Sequence, residues 1–197
     1  MAAPQPNPPL AAVASEYSLE ERRLLLALAH RAIQAALEDK EIDLAPPSAH
    51  LAEPRGAFTT LHLGGQLRGC VGYVIALHPL YRTVAETAMA AAFRDTRFYP
   101  VSEQEAPHLE VEISVLSPLR PIHPREIEIG RHGLVVARGS QRGLLLPQVP
   151  REYGWSVETF LEETCHKAGL PGDAWQHGAT LEAFTAEIFG DKEVAGR

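Results

Sequence analysis

Cysteine is scarce in this chain: Cys70 and Cys165 are its only two, too few and too far apart for a disulfide framework or a cysteine-based zinc site. Such usage fits a reducing compartment. Aromatic residues are sparse as well, at 7%, which leaves few rings for a base-stacking platform. Positive charge is in deficit, with 18 Lys and Arg against 25 Asp and Glu and a formal net charge of −7, so no global field recruits a phosphate backbone or an anionic membrane. Nucleic acid is therefore disfavoured as a partner. No run approaches the roughly 18 apolar residues of a membrane helix. Ala12-Val13-Ala14 has the small residues of a leader cleavage site, but neither a basic segment nor an apolar core precedes it. Histidines at 30, 50, 62, 78, 108, 123, 132, 166 and 177 include no pair three or four apart, as a helical zinc site needs. A phosphate-cradling glycine loop and a Gly-x-Ser-x-Gly elbow are both missing. These absences predict a cytoplasmic chain with no membrane segment and no metal, and they leave any cofactor unknown.

What is present suffices for one core, since 45% of 197 residues are apolar. We place the domain at 18–191. A disordered tail at 1–17, crowded by Pro4, Pro6, Pro8 and Pro9, precedes it, and a short tail at 192–197 follows. Ser18 with Glu21 has the capping-box pattern, and Leu24, Leu25, Leu28, Ala32 and Leu37 continue as a helical stripe over 19–38. Pro46, Pro47 and Pro54 keep the next stretch irregular. The runs 57–63 and 66–74 then flank Gly64-Gly65 as a hairpin. His78-Pro79 opens a second helix with its body at 81–93, where Ala85, Ala88, Ala90, Ala91 and Ala92 imply close packing on a sheet. Val111, Ile113 and Val115 alternate with Glu110, Glu112 and Ser114, the period of a half-buried strand. Pro118, Pro121 and Pro124 end it.

The second half repeats this plan. Runs 134–137 and 142–146 flank Gly139-Ser140, a helix follows over 156–168 with Gly169 as its stop, and 181–189 closes the chain. Sliding the sequence by 74 lays Gly65 on Gly139, Arg68-Gly69 on Arg142-Gly143, Tyr81 on Trp155, and 110–116 near 184–190. By its own pattern the last segment fits a helix or a strand; the repeat selects strand. The expected fold is α+β, with two duplicated hairpin-helix-strand units sharing one largely antiparallel sheet and helices packed on it.

Leu67-Arg68-Gly69-Cys70-Val71-Gly72 carries the most chemistry. On a strand, Arg68 and Cys70 share a face, and Gly69 and Gly72 are expected to clear the other for an approaching group. A guanidinium two residues from a thiol can favour the thiolate, the nucleophilic form, and the repeat keeps Arg142-Gly143 but puts Leu144 where the thiol stands. Glu110, Glu112 and Ser114 line the polar face of their strand, and Asp95 with Arg97 follows the alanine-rich helix. If these adjoin Cys70, a thiol, an arginine and a carboxylate share a pocket fit for nucleophilic or acid-base work. Each also has a structural alternative: a small buried cysteine, a solvated strand face, and an ion pair closing a helix. Cys165-His166-Lys167 sits in a last helical turn, where basic groups favour the dipole, and is read as structural.

The hexapeptide resembles the hallmark of the AMMECR-type domain family, and the likeness extends well beyond it. Gly56-Ala57-Phe58-Thr59-Thr60-Leu61, Asp95-Thr96-Arg97-Phe98, Glu112-Ile113-Ser114-Val115-Leu116, Gly130-Arg131-His132-Gly133-Leu134, Leu145-Leu146-Pro147-Gln148-Val149 and Cys165-His166-Lys167-Ala168-Gly169-Leu170 are similar to family blocks, in the family's order over about 18–191. Val71 stands where isoleucine is usual. The resemblance implies an α+β fold with the hexapeptide in or near a surface cleft, but supplies no reaction. It also implies a setting, the AmmeMemoRadiSam system, whose other components resemble a Memo-type protein and a radical SAM (S-adenosylmethionine) enzyme. No iron–sulfur cysteine triplet occurs here, so radical chemistry would lie on another chain.

The leading expectation is a cleft that binds a small anionic ligand or a modified side chain. Arg68 would take the charge, Cys70 would be the candidate catalytic nucleophile, and Gly69, Asp95, Arg97, Glu112 and Ser114 would line the site. If Arg68 and Cys70 project into a solvent-filled cleft, Arg68→Ala and Cys70→Ser should each change stability by no more than about 1 kcal/mol. The competing expectation is a non-catalytic adaptor docking a protein through the proline-rich loop 117–124 and an exposed strand edge. RNA or nucleotide binding stands third, weakened by the acidity and the few rings.

Overall fold

The computed structural model describes residues 15–194. Helix α1 (Leu19–Leu37) starts at Ser18, whose hydroxyl accepts from the Glu21 N–H at 3.2 Å while the Glu21 carboxylate accepts from the Ser18 N–H at 3.0 Å. Its inward face is Leu25, Leu26, Leu28, Ala29, Ala32 and Ile33. Leu24 is 41% exposed; one position earlier turns it about 100° around the axis and out of the stripe.

Strands β1 (Ala57–Leu63) and β2 (Gln66–Tyr73) form the expected hairpin, and both turn glycines hold positive φ, at +58° and +78°. Helix α2 (Leu80–Phe93) and strand β3 (Leu109–Leu116) complete the first unit. The alanines of α2 let its backbone settle onto the hairpin. A Cβ on Gly69 would collide with the Ala91 carbonyl, and the Thr59 and Thr87 hydroxyls bond at 2.8 Å in the buried layer.

Strand β4 (Arg120–Pro121) lies within the proline-rich loop and leads to the hairpin β5 (Gly133–Arg138) and β6 (Gln141–Leu145). A short helix α3 (Val149–Glu152) and helix α4 (Val157–Lys167) come next. Strands β7 (Thr180–Phe184) and β8 (Ala186–Gly190) and a last turn of helix, α5 (Asp191–Val194), end the described chain.

Both halves share one topology. The third strand pairs with the first strand of its hairpin, giving the orders β2-β1-β3 and β6-β5-β7, all antiparallel. Gly143 repeats Gly69, because a Cβ there would strike the Lys167–Ala168 backbone at the end of α4. The strands nevertheless form two four-stranded sheets, β2-β1-β3-β8 and β4-β7-β5-β6, where one shared sheet was expected. The cause is Thr185. The chain leaves the ladder there, its N–H donating to Ser117 Oγ at 3.0 Å and its carbonyl accepting from the Ser117 N–H at 2.9 Å. Thr59 faces Ile113, and its counterpart Gly133 faces Phe184, so β7 repeats β3 with three residues fewer than the hairpin offset. Residues 186–190 instead pair with β3 and join the first sheet.

Helices α1 and α2 cover one face of the first sheet, and α4 covers one face of the second. The two uncovered faces meet at one end, where Leu116 and Phe58 pack with Val135, Phe184 and Leu144. Of the tail expected at 1–17, residues 1–14 lie outside the described residues. Tyr17 is buried and stacks on His50 at 4.9 Å, and at the other end Val194 is buried and Glu193 binds Arg22 at 2.6 Å.

His132, 2% exposed, sits in the second unit and accepts the Glu128 N–H at Nδ1. Burial pushes its pKa down, and the Arg120 guanidinium adds to the effect. The unfolded chain therefore takes up a proton below about pH 6.5 before the folded one does. Stability contributed by this residue is present above that pH and lost as pH falls through it. Chemical denaturation at pH 7.5 and 5.5 should show a smaller pH-dependent loss in His132→Gln than in the parent; equal losses would count against this assignment.

Candidate functional site

Strand β2 is a free sheet edge, and Cys70 points its backbone outward. Its N–H donates to Asp95 Oδ2 at 2.9 Å and its carbonyl accepts from Arg97 Nη2 at 3.4 Å. Opposite it on β1 is Thr60, in the closer, non-hydrogen-bonded type of antiparallel pair, and the Thr60 hydroxyl donates to Cys70 Sγ at 3.3 Å. The thiol is half-buried, not sealed.

Asp95 organises this edge. Its side chain is 6% exposed and takes the Arg97 guanidinium through two bonds, at 2.9 and 2.7 Å, besides the Cys70 and Arg97 N–H groups. The bonds from Arg97, aided by the backbone donors, hold its carboxyl far below the usual carboxylate range against the opposing effect of desolvation. Arg97 itself stays 56% exposed.

Arg68 is placed differently from expectation. A β-bulge falls between Leu61 and His62: Leu67 faces His62, Gly69 faces Leu61, and Arg68 has no partner in the ladder. Bulges re-aim side chains, and Arg68 turns to the loop after α2, gripping Glu105 at 2.9 and 3.1 Å. The Arg68 bonds, with the Ser102 N–H, pull Glu105 down to about 2. Phe98 lies between the two arginines, 6.0 Å from Arg68 and 5.5 Å from Arg97. With Arg68 only 14% exposed, its removal leaves a mostly covered carboxylate without its partner. Arg68→Ala should therefore cost about 1–3 kcal/mol in urea unfolding, more than the cleft picture allowed; a change below about 0.5 kcal/mol would show the pair to be dispensable.

Gly69 faces away from Cys70, into α2. Gly72 was expected on the face of Gly69, but the two-residue period puts it on that of Cys70, where a Cβ would enter the Phe58 ring. Glu112 and Ser114 share the Cys70 face at a remove. Glu112 faces Thr60, two strand spacings or about 10 Å from Cys70, and Ser114 faces Phe58 in the next row. The structure thus brings Cys70, Asp95 and Arg97 together and leaves Arg68 in a separate ion pair beside them. Thr60, Phe98 and Glu105 were not anticipated.

Beyond Gly72 a cavity of about 440 Å³ opens between the units. Tyr73, Ile75 and Leu77 line it from the first unit, and Arg142, Leu144 and Lys167 from the second. Arg142 and Leu144 are the repeat counterparts of Arg68 and Cys70, so the cavity joins the end of the hexapeptide to its own duplicate. Among the described residues, no helix is long and apolar enough to cross a membrane, and no group of three or more His, Cys, Asp or Glu could hold a metal ion.

Two hairpin-helix-strand units, with Leu67–Gly72 on a free edge next to an Asp-Thr-Arg-Phe clamp, define a domain of the AMMECR type. The chain belongs to the AMMECR1 family, whose profile matches residues 26–189. It is 42% identical to protein MK0488 of Methanopyrus kandleri over 191 residues, covering 91% of this chain and 92% of that protein. An Aquifex aeolicus protein is 41% identical, with 88% and 94% covered. The crystal structure of the uncharacterized protein PH0010 from Pyrococcus horikoshii aligns with a TM-score of 0.73 at 44% identity, over 85% of this chain and 89% of that one.

Proposed function

We propose that this chain binds a small anionic ligand, or a modified side chain of another molecule, along the β2 edge from Cys70 into the cavity beyond Gly72. One observation carries the reading: a partly buried cysteine, bonded by Thr60 and held in place by Asp95, precedes by two residues on the same strand face the Gly72 that lines an apolar cavity edged by Arg142 and Lys167. Arg68 and Arg97 are balanced by Glu105 and Asp95. Among the described residues, unmatched charge for an anion therefore falls to Lys167, with Arg142 only loosely paired to Glu182 at 3.7 Å. Arg68 acts by holding the loop that bears Glu105, and Cys70 is the group able to attack an electrophilic ligand. Glu112 and Ser114 line the same face further in. The AmmeMemoRadiSam setting fits such a role, with Memo-like and radical SAM partners supplying chemistry for which this chain has no residues.

Equilibrium dialysis of the full chain against a metabolite extract, read by mass spectrometry, tests the proposal. Anionic compounds should be retained by the parent and lost with Arg142→Gln or Cys70→Ser. Equal retention by all three proteins, or none by the parent, would overturn it. The adaptor reading rests on the exposed Ile75 and Leu77, at 50% and 71%. The proline-rich loop supports it less, because Ile122 is buried and Leu119 packs between the sheets. Co-purification with a Memo-like protein, lost with Leu77→Asp and kept with Arg142→Gln, would favour docking.

A further inference from the structure

We propose that a second cavity, at the opposite edge of the first sheet, is a binding site for a small organic anion carrying a compact apolar group. It measures about 450 Å³ and lies where the turn at Gly130, the segment before α3 and the Thr185 bend come together. That volume falls in the range of small-molecule sites, which are commonly found where structural units meet.

The walls divide by chemistry. Pro147, Ala186 and Ile188 make an apolar side, and Ile188 is 45% exposed on it. The carboxylates at the cavity are already bound: Glu16 by Arg55 at 2.9 Å, and Glu187 by Arg22 at 3.0 Å and by the Glu16 N–H at 2.7 Å. Arg131 spends one Nη on Glu128 at 3.0 Å and has a second to offer. Arg151 has no carboxylate within ion-pair distance among the described residues, and its side chain crosses Gly130 where any Cβ would collide with it. The uncompensated charge of the wall is therefore positive and sits on the Arg151 guanidinium, with the second Nη of the paired Arg131 as a further donor; such forks match carboxylate and phosphate oxygens in pairs.

This site is independent of the Cys70 reading. Strands β2 and β8 are the two edges of one sheet, three spacings or about 14 Å apart. Phenyl phosphate and inorganic phosphate, titrated calorimetrically into the full chain, separate the apolar half of the site from the charged half. Phenyl phosphate should bind more tightly than inorganic phosphate. Arg151→Gln should weaken it about tenfold or more, as for a lost charged hydrogen bond. Ile188→Ser should weaken phenyl phosphate alone, and Cys70→Ser should change neither. Arg131→Gln provides a second test of the fork in case Arg151→Gln folds poorly. Absence of saturable phenyl phosphate binding, or affinities unchanged in both arginine variants, would overturn the proposal; equal effects of Ile188→Ser on both probes would overturn its apolar half.

Discussion

Gly69→Val is expected to lower the melting temperature by about 10 °C, the equivalent of roughly 3 kcal/mol for a chain of this size. The new Cβ would occupy the space of the Ala91 carbonyl, and a backbone carbonyl inside a helix cannot swing aside as a side chain can. Relief requires α2 to lift from β2, which opens the layer holding Val84, Ala88 and Leu61, each 0% exposed. Gly143→Val should behave alike, since its Cβ would meet the Lys167–Ala168 backbone at the end of α4. Gly172→Ala is the control: its nearest neighbour is the His166 ring at 3.1 Å, a side chain free to rotate, so its cost should stay within about 0.5 kcal/mol. Melting curves for the three variants decide the matter. If Gly69→Val melts with the parent, the helix does not rest on that glycine and the packing account fails.

The two glycines also show what sequence can and cannot reveal. Both hairpins, the helices that follow them and their correspondence were legible, because paired turn glycines, alanine spacing and strand alternation are local signals. The division into two sheets was not legible, since it depends on Ser117 meeting Thr185 across 68 positions. Cys70 and the Asp95–Arg97 pair could be singled out as residue types, yet what faces them is decided by one irregularity. A regular hairpin closed at Leu63 and Gln66 would set Gly69 against Thr60; the bulge moves the register by one residue and sets Cys70 there instead. The same bulge takes Arg68 out of the ladder and sends it to Glu105. No short-range pattern in the sequence marks a bulge at a non-glycine residue, so the thiol's hydroxyl partner and the arginine's carboxylate were invisible until the chain was folded.

Alkylation should separate the two cysteines by at least about a hundredfold in rate near neutral pH. Cys165 is 0% exposed, on the face of α4 that packs with Val136 and Leu170, and burial pushes its thiol pKa up. Two conditions oppose its reaction: the thiolate is the reactive form, and reagent reaches it only when α4 opens, a local unfolding that costs several kcal/mol in a packed helix. Cys70 needs no opening. It lies only partly buried on a sheet edge. Iodoacetamide labelling followed in time by peptide mass spectrometry measures both rates in one sample. Urea above the unfolding midpoint should bring them within a few fold, which ties the difference to the fold instead of to local sequence. Labelling of Cys165 in the native protein as fast as Cys70 would show that α4 opens readily, and native Cys70 left unmodified would remove the accessible thiol on which the proposed ligand site depends.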